Sequence, residues 1–135
     1  EKSKDNPVFY VQYCFARINS LMSLTKRSLD EKINLNIDKV DLNNYEKKIL
    51  RKVFDWPKVL DAAANKYEPH RIPYFLYDLA TLFHSYWSKG NENEKYKFIF
   101  DNKIKNENTL VIIKLVAVVV ENGMKILGVS TPKKM

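Results

Sequence analysis

Three side chains near the start of the chain have the types and the spacing to bind a nucleobase and a phosphate. Tyr10, Cys14 and Arg17 follow one another at intervals of four and three residues, which places them on one face of a helix. A tyrosine ring stacks on an unstacked base, and an arginine beside it pairs with a phosphate. Packing against another helix is the more common use of such a face, so the pattern by itself leaves both interpretations open.

A second candidate is Trp87, which follows His84, Ser85 and Tyr86 near the predicted end of another helix. It falls outside the apolar stripe of that helix, and the basic residue Lys89 comes shortly after it. An exposed tryptophan in this position is either a platform for base stacking or a lid over the core. The sequence does not decide between the two.

Catalytic motifs are missing from the chain. It contains no glycine-rich phosphate loop, no paired-histidine metal motif and no serine nucleophile elbow. The two histidines, His70 and His84, are separated by a corner and most of a helix, so capping or partial burial is a better interpretation than metal ligation. We therefore expect no catalysis and no cofactor or metal site in this chain taken alone.

The length and net charge of the chain indicate the number of domains and the kind of partner to expect. The chain has 135 residues, enough for one domain with a core, and a formal net charge of +7. A basic surplus favours polyanionic partners, although a lysine-rich composition would produce the same surplus without any such partner. The net charge alone therefore does not show whether the chain binds nucleic acid.

The cysteine count and the hydropathy of the chain indicate the cellular compartment in which it is expected. Cys14 is the only cysteine, which excludes an internal disulfide and fits a reducing environment. The longest apolar run, Leu110 to Val120, is too short to cross a bilayer and contains Lys114. We expect a cytoplasmic protein with no membrane segment.

The elements that position these residues are predicted to be helices. Asn6 and Pro7 supply an N-cap and a first-turn proline for a helix that fades near Thr25. Further helices are predicted at 43–55, 57–66, 72–88 and 110–127, with Gly128 as a C-terminal stop. The result is an all-α bundle of about five main helices.

Apolar stripes at helical spacing define the inner faces of these helices. The predicted inward residues, helix by helix, are Val8, Val11, Phe15, Ile18 and Met22; Tyr45, Ile49 and Val53; Leu60, Ala63, Ala64 and Tyr67; Leu76, Leu79, Phe83 and Tyr86; and Leu110, Ile113, Ala117, Val120, Met124 and Leu127. Residues 26–41 are predicted to be mostly loop, with a brief extended segment at Ile33 to Ile37. Residues 90–107 are polar apart from a small apolar group at Phe98 to Phe100.

Three blocks of the chain resemble one family. The segment from Asn6 to Ile18 resembles the opening of the C-terminal anticodon-binding domain of arginyl-tRNA synthetases. Tyr77 to Trp87 is similar to the fourth-helix signature of that family, and Glu121 to Met135 is similar to its final helix and terminus. The blocks occur in the same order as in the family and cover almost the whole chain.

The resemblance implies a helical domain of the DALR type that follows a class I catalytic domain. In the full-length enzyme, arginine is joined to its tRNA with ATP and magnesium, and the HIGH-like and KMSKS-like signatures of that reaction are absent here. Residues 1–5 are accordingly expected to end a linker from the catalytic domain, and residues 6–135 to form the anticodon-binding domain. The expected partner is an arginine tRNA, and the expected state is a monomer. Two alternatives stay open: a helical protein–protein interaction module, and the anticodon domain of another class I synthetase.

The resemblance also implies functional residues. Tyr10 is implied to contact anticodon-loop nucleotides, Trp87 to be a second platform, and Met135 to lie against the same bases. Cys14 stands where the family usually has alanine, which is still small enough for close approach. Helix geometry adds Tyr13 and Arg17 to this set.

The chain departs from the family at two positions. Phe15 stands where the family usually has histidine, which fits a buried role better than polar readout. Thr109 stands where the final helix of the family usually opens with an arginine. If that arginine orients the bundle or touches a phosphate, either Lys105 or Lys114 must substitute for it, or the contact is absent.

Overall fold

The computed structural model describes residues 6–30, 32 and 41–135. Five α-helices in this part of the chain, α1 to α5, span Pro7–Thr25, Asn44–Phe54, Trp56–Asn65, Arg71–Glu92 and Glu107–Ile126. A 3₁₀ turn at Glu94–Tyr96 and an antiparallel hairpin of strands β1 (Ile99–Phe100) and β2 (Lys103–Ile104) connect α4 to α5. The predicted all-α bundle is confirmed. The expected linker at 1–5 and the extended segment at Ile33 to Ile37 lie outside the described residues.

Side chains just before the helices satisfy their first backbone amides. The carboxamide of Asn6 accepts hydrogen bonds from the backbone nitrogens of Val8 (3.0 Å) and Phe9 (3.4 Å), as the sequence predicts. Asn43 and Glu46 form a reciprocal capping box at the start of α2. These local interactions fix where α1 and α2 begin, independently of the packing of the bundle.

Helix α4 is the centre of the bundle and packs against the other four helices. Its predicted stripe, Leu76, Leu79, Phe83 and Tyr86, is completely buried. The stripe of α5 is buried in the same core, from Leu110 to Met124. Because both faces are apolar at helical spacing, packing them together removes apolar area from water and stabilises the bundle.

A polar network crosses this core. The carboxylate of Glu46, which is only 3% exposed, accepts hydrogen bonds from the hydroxyls of Tyr86 (2.9 Å) and Thr109 (2.8 Å). Its other oxygen accepts from the backbone nitrogen of Asn43 at 3.0 Å. The network ties α2, α4 and α5 together, and its geometry leaves the buried carboxylate well supplied with donors.

The predicted end of the fourth helix, at Ser88, is wrong. The helix continues to Glu92 through Gly90, which was interpreted as the start of a loop. A Cβ atom at Gly90 would lie 2.9 Å from the carbonyl oxygen of Tyr96, so glycine is needed there for close packing. Trp87 consequently lies within the helix and is not at its end.

Two predicted inner faces also need correction. In α3 the buried residues are Trp56 and Ala62, whereas Tyr67 is 89% exposed in a left-handed backbone conformation after the helix has ended. In α1, Val8 in the first turn is 37% exposed and Cys14 is fully buried. Cys14 lies three residues after Val11 and four before Ile18, which places it in the middle of the apolar stripe.

Candidate nucleic-acid interface

Aromatic side chains line the junction of α1 and α4. The ring of Tyr10 lies 5.1 Å from that of Tyr77 and 4.8 Å from that of His84, measured between centroids. Tyr13 continues the row, with its centroid 5.6 Å from that of His84. The row is therefore built from alternate contributions of the two helices, and its members are held at stacking distances.

Arg17 extends the row between two rings. Its Cζ lies 4.7 Å from the centroid of Tyr13 and 5.2 Å from that of Trp87. One guanidinium nitrogen, Nη2, also donates a hydrogen bond to the Tyr13 hydroxyl at 2.6 Å. A guanidinium held in this way keeps its charge while losing much of its freedom, which favours pairing with a phosphate.

The position of Trp87 is compatible with both roles that the sequence left open. Its ring makes an edge-to-face contact with the buried ring of Phe98, with centroids 5.4 Å apart. The guanidinium of Arg17 lies near its face, and the side chain is only half-buried. Trp87 is thus anchored in the core on one side and accessible on another.

The C-terminal tail crosses α1 and reaches the same place. The side-chain amide of Gln12 donates a hydrogen bond to the carbonyl of Ser130 at 2.9 Å, which fixes the start of the tail. Met135, 51% exposed, lines a groove of about 260 Å³ together with Tyr13, Arg17 and Trp87. Four of the six predicted site residues therefore meet in one groove, which we call the Trp87 groove.

Tyr10 and Cys14 occupy different positions. Tyr10 lies in the aromatic row but does not line the Trp87 groove, and it borders a neighbouring cleft of about 240 Å³ with Phe9, Tyr13 and His84. The Cys14 side chain is completely buried, and burial raises the pKa of its thiol. Cys14 therefore packs beneath the row and has no surface to offer a ligand. Its neighbour Phe15 is also buried, as its type suggests.

Burial shifts the pKa values of two rings in the aromatic row, those of His84 and Tyr10. Desolvation, and secondarily the charge of Arg17, lower the pKa of His84 to about 4, so the ring is neutral at pH 7. Desolvation raises the pKa of Tyr10, with a smaller opposing effect from its hydrogen bond to the Thr81 side chain. The row is consequently uncharged apart from Arg17, and its rings present apolar faces.

Thr109, the second departure from the family pattern, is 1% exposed and donates its hydroxyl hydrogen to Glu46. A side chain at this position orients the bundle from within and does not reach a phosphate. The ammonium of Lys105 donates to the carbonyl of Lys95 at 2.7 Å, on the exposed surface. Thr109 is therefore an internal partner of Glu46 at this place, whereas the ammonium of Lys105 binds elsewhere.

Two members of the row, Tyr77 and His84, were missed as site residues. They are seven residues apart on α4, and Trp87 follows His84 by three, so all three lie along one side of the helix. This spacing was available in the sequence. What it does not reveal is that the side in question borders α1 and faces Tyr10 and Tyr13.

Within the described part of the chain, no group of three metal-ligating side chains comes together. None of the helices described is both long and apolar enough to cross a bilayer.

Comparison with known proteins matches the chain to one family. The family described as the DALR anticodon binding domain matches residues 11–135. A protein of Pelagibacter ubique named arginine–tRNA ligase is 44% identical over the whole of this chain, which corresponds to 23% of that protein. One of the same name from Sinorhizobium medicae is 38% identical, again over the whole chain and 24% of its own length. The chain thus spans about a quarter of the length of these curated relatives.

A solved structure from Campylobacter jejuni that carries the name arginyl-tRNA synthetase is also similar. Its TM-score is 0.75 at 26% identity, and the match covers all of this chain and 28% of that one. The helical arrangement described above is therefore shared with a solved structure. Since the family match covers almost the entire sequence, the chain belongs to the DALR anticodon-binding domain family.

Proposed function

We propose that the chain is the anticodon-binding domain of an arginine–tRNA ligase and that it binds the anticodon loop of arginine tRNA. The observation that carries the proposal is the position of Arg17 between the rings of Tyr13 and Trp87, in a groove that Met135 also lines. Aromatic faces beside a fixed guanidinium suit an unstacked base and its phosphate. The net charge of +7 favours the same partner.

The groove acts by stacking and charge pairing. Trp87 and Tyr13 supply faces on which bases unwound from the loop can stack, and each stacked base contributes about 1–3 kcal/mol. Arg17 is already held by both rings, so it gives up less conformational freedom on pairing with a phosphate. The flexible thioether of Met135 fills the remaining apolar space beside a base.

The chemical step belongs to another part of the full-length protein under this proposal. The chain corresponds to about a quarter of its curated relatives, which leaves room for a catalytic domain. That domain would bind arginine, ATP and magnesium, while this one selects the tRNA. We further propose that the enzyme acts in the cytoplasm as a monomer.

The first test is the substitution Trp87→Ala, with Phe54→Ala as the matched control. Both remove an aromatic ring, but Phe54 is 69% exposed at the end of α2, away from the junction of α1 and α4. Loss of one stacked base should raise the Kd for arginine tRNA about 5- to 140-fold, and the control should leave it unchanged. Equal Kd values for Trp87→Ala and the unmodified chain would refute the assignment of the groove.

Two comparisons separate the proposal from its alternatives. RNA binding should weaken steeply as salt is raised, whereas docking of a partner protein on an apolar surface should not. Equal affinity for arginine tRNA and a non-cognate tRNA would contradict the assignment to arginine. Fluorescence anisotropy with labelled tRNA measures both quantities.

A further inference from the structure

The hairpin between α4 and α5 is short and tightly built. Asp101 and Asn102 form its two-residue turn and both have positive φ, 51° and 60°, the conformation that suits a tight hairpin. Phe100 is paired with Lys103 across the strands. The backbone nitrogen of Lys105 donates to the carbonyl of Phe98 at 2.7 Å, which continues the pairing beyond the strands.

The base of the hairpin is fixed beside Trp87. A Cβ atom at Gly90 of α4 would lie 2.9 Å from the carbonyl oxygen of Tyr96 and 3.0 Å from the Cα of Lys97, so these backbones touch. Phe98 is 1% exposed and packs edge-to-face on the Trp87 ring. Strand β2 also packs against α1 and α5. The hairpin therefore has a defined position next to the Trp87 ring, although none of its residues lines the Trp87 groove.

The outer surface of the hairpin combines an aromatic ring with positive charge. Phe100 is 40% exposed, and the ammonium of Lys97 lies 5.9 Å from its ring centroid. Lys103, exposed, is the cross-strand neighbour of Phe100. An exposed ring between two lysines is the combination that proteins use to hold single-stranded nucleic acid. We call Lys97, Phe100 and Lys103 the hairpin patch.

We propose that the hairpin patch is a second RNA-binding element, which holds phosphates of the strand that leaves the Trp87 groove. Lys97 directly precedes Phe98, whose ring packs on that of Trp87, so one short segment connects the hairpin patch to the side chain at the edge of the groove. Lys97 and Lys103 pair with the backbone, and Phe100 offers a face to a base or ribose. The inference rests on the proposed function and extends it to a part of the chain outside the predicted site residues.

The test compares two double substitutions that remove the same charge. Lys97→Gln with Lys103→Gln changes the hairpin patch, and Lys58→Gln with Lys66→Gln changes exposed positions in and just after α3. Helix α3 packs near Phe75, twelve residues before Trp87, or about 18 Å along α4. The Kd of the 135-residue chain for an arginine tRNA anticodon stem-loop is measured by anisotropy between 50 and 200 mM salt.

Loss of two phosphate contacts should flatten the slope of log K against log salt by about 1.4, since each contact to a single strand contributes about 0.7. Across this range of salt, the unmodified chain should lose about sevenfold more affinity than the hairpin variant. The α3 variant should keep the slope of the unmodified chain. Trp87→Ala should weaken binding without a comparable change in slope, because stacking releases no counterions.

The outcomes distinguish this inference from the proposed function. An unchanged slope in the hairpin variant, or an equal change in both double variants, overturns the hairpin patch, while an effect of Trp87→Ala would still support the groove. The hairpin variant could show a flatter slope while the unmodified chain binds arginine and non-cognate stem-loops with equal affinity. That result would support the hairpin patch and contradict the assignment to arginine. No binding by the unmodified chain overturns both.

Discussion

Acidification should lower the free energy of unfolding of this domain through one partly buried ring, that of His84. The ring packs among Tyr10, Tyr13 and Phe83, with centroid separations of 4.8, 5.6 and 5.6 Å. Its Nε2 is buried and has no hydrogen-bond partner among the residues described. Burial first, and the charge of Arg17 second, lower its pKa to about 4 in the folded chain, against 6.5 in an exposed histidine.

The sign and size of the effect follow from these two values. The folded pKa is below the unfolded one, so between pH 6.5 and 4 the unfolded chain binds the proton more readily and unfolding is favoured. The stability is fully present above pH 6.5 and is lost as pH falls toward 4. If the whole difference between the two pKa values acted on folding, the free energy of unfolding would fall by about 2 kcal/mol at pH 5. Because the ring is only partly buried, we expect a fall of roughly 1 kcal/mol.

The assay is urea unfolding at pH 7.5 and pH 5.0 of three proteins: the unmodified chain, His84→Gln and His70→Gln. His70 is the only other histidine and is exposed at the start of α4, which makes it a matched control. Titration of carboxylates affects all three proteins alike. Between pH 7.5 and pH 5.0, the free energy of unfolding of the unmodified chain and of His70→Gln should therefore fall by roughly 1 kcal/mol more than that of His84→Gln.

The comparison is made within each protein, so a constant cost of the substitution itself cancels. If His84→Gln loses as much stability on acidification as the unmodified chain, the burial of a neutral His84 does not control the pH response. A loss restricted to His70→Gln would contradict the reasoning in the same way.

Deletion of Lys133 to Met135 removes only exposed side chains, so the urea midpoint of unfolding should stay the same. The Kd for arginine tRNA should rise at least about fivefold, which corresponds to about 1 kcal/mol of binding free energy. An unchanged Kd would exclude the tail from the site. Tyr86→Phe deprives Glu46 of one donor in the core and should lower the free energy of unfolding by about 1–3 kcal/mol. Tyr74→Phe, at a 70% exposed position of the same helix, is its control and should have no effect in the same urea titration.

The helices could be predicted because their determinants are local. The stripe from Leu76 to Tyr86 repeats at helical spacing, and it is buried as predicted. The N-caps at Asn6 and Asn43 act on backbone amides within three residues. Such signals do not depend on where the rest of the chain lies. The predicted cap at Asn6 was confirmed, and the structure adds the cap at Asn43.

The predictions that failed concern residues whose role depends on distant neighbours. The fourth helix was predicted to end at Ser88, but it continues, and Gly90 is buried inside α4 where the backbone of Tyr96 and Lys97 approaches it closely. The resemblance implied a place for Cys14 close to the anticodon, but its side chain is completely buried beneath the aromatic row. The hairpin at 99–104 has strands of only two residues each, which are too short for an alternating pattern to show in the sequence.

The sequence by itself determined the family, the all-α class, the order of the helices and four of the eight residues that line the Trp87 groove. The tertiary structure decided that Tyr13 from α1, Trp87 from α4 and Met135 from the terminus meet in one groove, with Arg17 held between two of the rings. Helical periodicity assigns a residue to a face, but it does not say which faces meet. That depends on the packing of α1 against α4 and on the Gln12–Ser130 contact that fixes the tail.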